Sequence, residues 1–221
     1  MNKYAVIVAG GKGTRMGSDT PKQYLLLNGL PILMHTLKRF KTFDSSIELI
    51  LVIPEDDHNL WKTLCEKYNF TIEHQIVSGG SSRFQSVKNG LSNINHDGYV
   101  AIHDGVRPLV DNSIISQSFE IAQQFNTAIT AISLKDSIRE IDKGKNIARD
   151  RSNFKSIQTP QTFQVDLIKK AYETEELPHF TDDASVAEHD GNKIHLIQGS
   201  YKNIKITTSE DLKIAEVLLH E

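Results

Sequence analysis

Apolar residues follow two alternating rhythms along the chain. Short β-branched runs recur at residues 5–8, 47–53, 99–103 and 128–133, each with the length of a strand rather than of a helix. Between them apolar positions return at helical spacing, as at Ile32, Leu33, Leu37 and Phe40. Further helices are predicted over 59–68, 83–91, 113–124 and 209–219, the last behind Thr208-Ser-Glu-Asp211, which has the form of a capping box. Strands alternating with helices predict an α/β fold, a Rossmann-like, doubly wound, mostly parallel sheet.

Residues 137–151 break that rhythm. They are polar, alternate weakly and centre on Gly144, a pattern that predicts a projecting β-hairpin. Too few of its apolar side chains share a face for it to stand alone, so it is expected to pack against the same arm of a second subunit. The expected organisation is one domain over 1–221 with an inserted arm at roughly 137–157.

Composition narrows the partners. Lys and Arg number 25 against 28 Asp and Glu, for a net charge of −3, so there is no overall basic field for a nucleic-acid backbone. Any site for a polyanion is therefore local. Cys65 is the lone cysteine, which allows neither an intrachain disulfide nor a Cys-rich zinc site and fits a reducing, cytoplasmic setting. No apolar run approaches membrane-spanning length and none has the form of a secretory core, so neither membrane nor export is expected.

Candidate chemistry begins after the first strand, at Ala9-Gly-Gly-Lys-Gly-Thr-Arg-Met-Gly17. Glycines there let backbone N–H groups approach and wrap phosphate oxygens. Arg15, and Lys22 within Pro21-Lys-Gln-Tyr24, add two cations in one short stretch, as the charge of a triphosphate requires. A tight strand-to-helix turn remains the plainer reading. A dinucleotide fingerprint built on Gly11 and Gly13 fails at Met16, and a P-loop fails because Gly11-Lys12 is followed by Gly13 rather than by Ser or Thr.

The second constellation is His103-Asp-Gly-Val-Arg-Pro108, at the end of a central run. Asp104 has the chemistry of a magnesium ligand completed by phosphate and water, or of a turn cap. Arg107 either holds a phosphate or pairs with a neighbouring carboxylate, and the pattern leaves both open. His103 is read as a hydrogen-bonded structural residue.

Together with Gly79-Gly-Ser-Ser-Arg-Phe-Gln-Ser-Val, Gln158-Thr-Pro-Gln-Thr-Phe, Thr181-Asp-Asp-Ala-Ser and Asn203-Ile-Lys-Ile-Thr, these blocks resemble the 2-C-methyl-D-erythritol 4-phosphate cytidylyltransferase family across nearly the whole chain. The resemblance implies transfer of CMP from CTP to that phosphorylated sugar alcohol, with magnesium and release of pyrophosphate, on the non-mevalonate route to isoprenoid precursors. It implies that Ala9, Gly10, Gly11, Gly13 and Arg15 wrap the triphosphate, that Lys22 holds it from the side, that Gly80, Arg83 and Ser86 lie around the cytidine, and that Asp104 holds magnesium. Arg15, Lys22 and Lys205 become the expected catalytic cations. The implied acceptor site draws on Arg107, Asp136, Ser137, Arg151, Thr159 and Thr181, with Arg151 and Thr159 supplied by the partner of a homodimer. Two departures stand out. Gly105 replaces an expected alanine, which is expected to loosen the loop around Asp104, and the interval from Thr159 to Thr181 is shorter than usual, which puts the placement of Thr181 in question.

In such a reaction the nucleophile is already an anionic phosphate oxygen, so holding two polyanions in line takes the place of a general base. Three rivals are weighed. A ribitol 5-phosphate cytidylyltransferase differs in the acceptor alone. A catalytically silent nucleotide-binding module leaves Arg15, Lys22, Asp104 and Lys205 unexplained, and a dinucleotide oxidoreductase lacks the glycine that Met16 replaces.

Overall fold

Tyr4, Ala5, Val6 and Ile7 are all buried, so the strand that carries them must be covered on both faces. The computed structural model, which describes residues 1–11 and 20–219, provides that cover with helices on each side of a mixed sheet. In chain order the first half comprises β1 (Asn2–Val8), β2 (Leu26–Leu27), β3 (Leu30–Pro31), α1 (Ile32–Phe43), β4 (Glu48–Ile53), α2 (His58–Lys67), β5 (Gln75–Ser78), α3 (Arg83–Ser92) and β6 (Gly98–Asp104). The second half comprises α4 (Asn112–Phe125), β7 (Thr127–Ser133), β8 (Ile138–Asp142), β9 (Lys145–Arg149), β10 (Lys155–Gln164), α5 (Val165–Ala171), α6 (Asp183–His189), β11 (Leu196–Gln198) and α7 (Ser209–Leu218).

Side chains alternate across β1. Ala5 and Ile7 pack with Leu33, Leu37 and Phe40 of α1 and Phe119 of α4, while Tyr4 and Val6 pack with Phe84, Val87 and Leu91 of α3 and Ile168 of α5. Each large apolar side chain taken fully out of water in this way contributes about 1.5–3 kcal/mol. The expected helices form within a few residues of their predicted bounds, and Thr208 caps α7 in the reciprocal arrangement its sequence suggested.

The sheet order is β11-β7-β10-β6-β1-β4-β5. β1 pairs in parallel with β4 on one side and β6 on the other, so the chain reverses its winding direction between β1 and β6. Ligands of open α/β sheets bind beyond the carboxyl ends of strands at such a reversal. Those ends are aligned here, since Val8 stands in register with Asp104. β10 runs antiparallel to both β6 and β7, a feature absent from the sequence expectation.

β8 and β9 pair antiparallel around Lys143 and Gly144, whose φ values of 45° and 81° give the two-residue turn that suits a twisted hairpin. The arm is shorter than 137–157, because residues 155–157 pair with β7 in the main sheet. Ile141 and Ile147 on the hairpin are 71% and 53% exposed.

Gly105 corrects the expectation of a loosened loop. Its N–H donates to Val8 O at 2.8 Å and its carbonyl accepts from Thr36 Oγ1 at 2.9 Å. A Cβ there would stand 2.8 Å from Ala9 Cβ and 2.9 Å from Leu33 Cδ1, so the segments that follow β1 and β6 and the start of α1 pack closely because this position lacks one. Gly105→Ala should lower unfolding stability by about 1–3 kcal/mol through overpacking. A thermal melt checks this, and an unchanged Tm would show that the loop yields freely.

Candidate functional site

The turn after β1 and the loop after β6 form one wall of a cleft of about 260 Å³, and the start of α3 forms another. Of the residues assigned to the nucleotide, Ala9, Gly10, Gly11, Lys22, Gly80, Arg83, Ser86 and Asp104 all line it, together with Lys205. Gly13 and Arg15 lie outside the described residues.

Each of these residues is held by its local sequence. Gly80 has no room for a side chain, since a Cβ would collide with Gln85 Cβ, and its N–H donates to Ser86 Oγ at 3.1 Å. Ser86 Oγ in turn donates to Ser82 O at 2.8 Å, while Ser82 caps α3 by accepting from Gln85 N. Lys22 opens a short 3-10 turn anchored by Tyr24, which is buried, packs near Trp61 and donates to Asp57 Oδ2 at 3.0 Å. That anchor sets the Lys22 side chain beside Gly11.

Asp104 is the electrostatic centre. Its side chain is about 10% exposed, and Oδ2 lies 3.1 Å from both Arg107 Nε and Lys205 Nζ. Arg83 Nε stands farther off, 3.9 Å from Oδ1. Burial alone would raise the Asp104 pKa, but Lys205, Arg83 and Arg107 together hold it well below the usual carboxylate range. The carboxylate is therefore charged at neutral pH. Arg107 is pinned as well, its Nη1 donating to Asn203 O at 2.8 Å, so the carboxylate pairing left open by the sequence is present. Lys205 lies between Ile204 and the buried Ile206 in a segment without regular secondary structure, not on an edge strand, and Ile206 N–H donates to Val106 O.

A second cleft of about 270 Å³ shares residues with the first. Arg83, Asp104 and Lys205 line both clefts, and the second adds Arg107, Thr159 and Thr181. Thr181 thus joins the others despite the shortened interval. Thr159 corrects another expectation, its assignment to a partner subunit. Because Gln161 of β10 pairs with Ile102 of β6, Thr159 falls beside Asp104 of its own chain, and its Oγ1 accepts from Asp104 N at 3.0 Å. Asp136, Ser137 and Arg151 line neither cleft. All three are exposed at the base of the hairpin, where Arg151 donates to Lys135 O.

His103 is wholly buried against Phe40, and burial lowers its pKa to about 4, so it is neutral and structural as expected. Sequence reasoning passed over Gln158, Gln161, Asp183 and Asn203, buried polar residues that build the second cleft and its backing. All four sit in blocks already singled out, yet nothing in a single sequence distinguishes a buried glutamine from an exposed one.

Among the described residues no three His, Cys, Asp or Glu side chains cluster as a ready-made metal site. Asp104 is the sole acid among the described residues lining the first cleft, and its Oδ2 is already engaged by two cations. The chemistry of these residues fits a magnesium ion, which Asp104 would hold together with phosphate and water, since magnesium favours one carboxylate plus such oxygens.

The family model for 2-C-methyl-D-erythritol 4-phosphate cytidylyltransferase matches residues 4–221. A protein of that name from Phocaeicola vulgatus is 48% identical over 219 residues, covering 99% of this chain and 100% of that protein. The crystal structure of a 4-diphosphocytidyl-2C-methyl-D-erythritol synthase from Anaerococcus prevotii superposes with a TM-score of 0.84 at 30% identity, covering 100% of this chain and 96% of that one. The 2-C-methyl-D-erythritol 4-phosphate cytidylyltransferase of Francisella tularensis superposes with a TM-score of 0.80 at 29% identity, covering 99% and 100%.

The hydroxyl of Thr159 is the acceptor for a buried N–H at the centre of the site. Thr159→Val should therefore cost about 1–3 kcal/mol by orphaning that donor. Thr159→Ser should recover most of it. Denaturant unfolding of both variants checks this, and equal stabilities would exclude the hydrogen bond as a support of the Asp104 loop.

Proposed function

The chain belongs to the 2-C-methyl-D-erythritol 4-phosphate cytidylyltransferase family, and we propose that its reaction, CMP transfer from CTP to 2-C-methyl-D-erythritol 4-phosphate, takes place across the two clefts that meet at Asp104. The observation that carries this reading is the sharing of Arg83, Asp104 and Lys205 by both clefts. CTP occupies the glycine-lined cleft, with Gly10, Gly11, Gly13, Arg15 and Lys22 about its phosphates and Gly80, Arg83 and Ser86 about the cytidine. The acceptor occupies the second cleft, against Arg107, Thr159 and Thr181.

A phosphate oxygen of the acceptor forms a bond to the α-phosphorus as the bond to the β-phosphate breaks, and pyrophosphate leaves on the opposite side. The nucleophile carries its charge already, so the residues have no proton to move. Lys22, Arg15 and Lys205 instead offset the repulsion between two anions and the charge that builds on the phosphorus, a role that preorganised cations fill well in a site shielded from water. Magnesium, held by Asp104 and the triphosphate, would supply further neutralisation of the phosphates.

The same reading makes the enzyme a homodimer through the hairpin. Its support is the exposure of Ile141, Ile147 and Phe154 on and beside that arm, and the position of Asp136, Ser137 and Arg151 outside both clefts of their own chain. Arg151, and with it Asp136 and Ser137, would then complete the acceptor site of the other subunit. Among the described residues no helix is long and apolar enough to cross a membrane, and a cytoplasmic location, favoured by the lone Cys65, belongs to the same proposal.

Pyrophosphate release from CTP and magnesium, with 2-C-methyl-D-erythritol 4-phosphate and ribitol 5-phosphate offered separately, tests the assignment. Turnover is expected with the former alone. Lys22→Ala and Lys205→Ala should each lose roughly 100-fold or more in kcat while remaining folded, and near-normal turnover would remove that lysine from the mechanism. Mixing subunits tests the shared site. An Arg151→Ala and a Lys22→Ala subunit paired in one heterodimer should restore one intact site, whereas no recovery in verified heterodimers would put Arg151 to work in its own chain.

A further inference from the structure

Of the residues shared by the two clefts, Arg83 is gripped from behind. Its Nη1 and Nη2 donate to the two carboxylate oxygens of Asp183 at 2.8 and 2.7 Å. Asp183 is completely buried, and Tyr172 Oη donates to its Oδ1 at 2.6 Å. Neither Asp183 nor Tyr172 lines either cleft, so any effect they have on substrates passes through Arg83.

Two carboxylates compete for this guanidinium. Asp183 takes it in a planar fork, the strongest geometry available to an Arg and a carboxylate, while Asp104 stays 3.9 Å from Nε. Burial works against the charge on Arg83, but Asp183 holds its pKa well above the ordinary value. Burial and the adjacent Asp183 charge also push Tyr172 up, so its hydroxyl keeps the proton it donates. The position of Asp183 is itself fixed. Gln161 of β10 donates to Asp182 Oδ2 at 2.9 Å and accepts from Ala184 N at 2.8 Å, and Asp182 caps α6 reciprocally with Ser185. Without Asp183, the nearest anion to Arg83 would be Asp104, and closing that gap would engage Oδ1 of a carboxylate whose Oδ2 already meets Arg107 and Lys205.

We propose that Asp183, backed by Tyr172, is a positioning residue for the transfer reaction, holding the Arg83 guanidinium off Asp104 at the seam where CTP and the acceptor meet. The proposal rests on the cleft assignments made above for the two substrates.

The test is a pair of mutant cycles, with kcat and KM for CTP and for 2-C-methyl-D-erythritol 4-phosphate, and Tm, measured for each enzyme. The variants are Asp183→Asn, Tyr172→Phe, Arg83→Gln, and each of the first two combined with Arg83→Gln. Asp183→Asn should lower kcat/KM for both substrates by roughly tenfold or more, and add less than about twofold once Arg83 is Gln, because residues acting as a unit are not additive. Tyr172→Phe should lower it by roughly two- to fivefold and likewise add nothing to Arg83→Gln. A purely structural role would instead lower Tm and multiply the Arg83→Gln loss by the full single-mutant factor, and that result overturns the proposal, as does normal kcat/KM in Asp183→Asn. If Asp183→Asn does not fold, the Tyr172→Phe cycle decides by the same criterion. Normal kcat/KM for both substrates in Arg83→Gln would overturn the cleft assignment of Arg83, and the proposal with it.

Discussion

The buried carboxylate of Asp104 is the constraint around which the site is arranged. A charge taken out of water must be paired, and removing one partner from a buried set costs about 3–5 kcal/mol. Lys205 and Arg107 meet Asp104 at 3.1 Å and Arg83 stands 3.9 Å away. Lys22, Arg83, Arg107 and Lys205 line the two clefts against the acids Asp104 and Asp182, with Asp183 behind Arg83, which leaves an excess of positive charge among the described residues. That excess suits two phosphorylated substrates that repel one another and must nevertheless be brought into line. The overall charge of −3 does not disclose it, because the balance that matters is local.

The backbone brings these groups together by simple means. The winding reverses between β1 and β6, so their carboxyl ends lie side by side. Gly105 lets the segments that follow them touch, and the antiparallel β10 slots Thr159 under the Asp104 N–H. The segment from Asn203 to Ile206 closes the far side, tied to the loop after β6 by Arg107 and by Val106 O. Cations from four distant stretches of sequence thereby share one small volume.

Much of this was legible in the residues. Alternation of β-branched runs with helical spacing located β1, β4, β6 and β7 and five of the helices, because their burial is apolar and periodic. β10 escaped for the opposite reason. Its buried residues include Gln158, Thr159, Gln161 and Thr162, and Pro160 argues against a central strand, so hydrophobic pattern is silent there. The short α5 and α6 offer too few turns for a period to emerge. Of the residues that line the first cleft, Ala9, Gly10, Gly11, Lys22, Asp104 and Lys205 could be named as candidates from motif and family resemblance. The grip of Asp183 on Arg83 was not legible, since it joins positions 100 residues apart and depends on burial that a Thr-Asp-Asp-Ala-Ser string does not reveal.

The claim that one charge cluster serves both substrates is tested most directly by a crystal structure with a non-hydrolysable CTP analogue, magnesium and 2-C-methyl-D-erythritol 4-phosphate bound together. The account predicts an acceptor phosphate oxygen roughly 3–3.5 Å from the α-phosphorus and in line with the leaving oxygen, with Lys205 and Arg83 lying between the two ligands. An acceptor phosphate bound away from the Arg107 and Thr159 cleft, or an α-phosphorus out of line with it, would contradict the account.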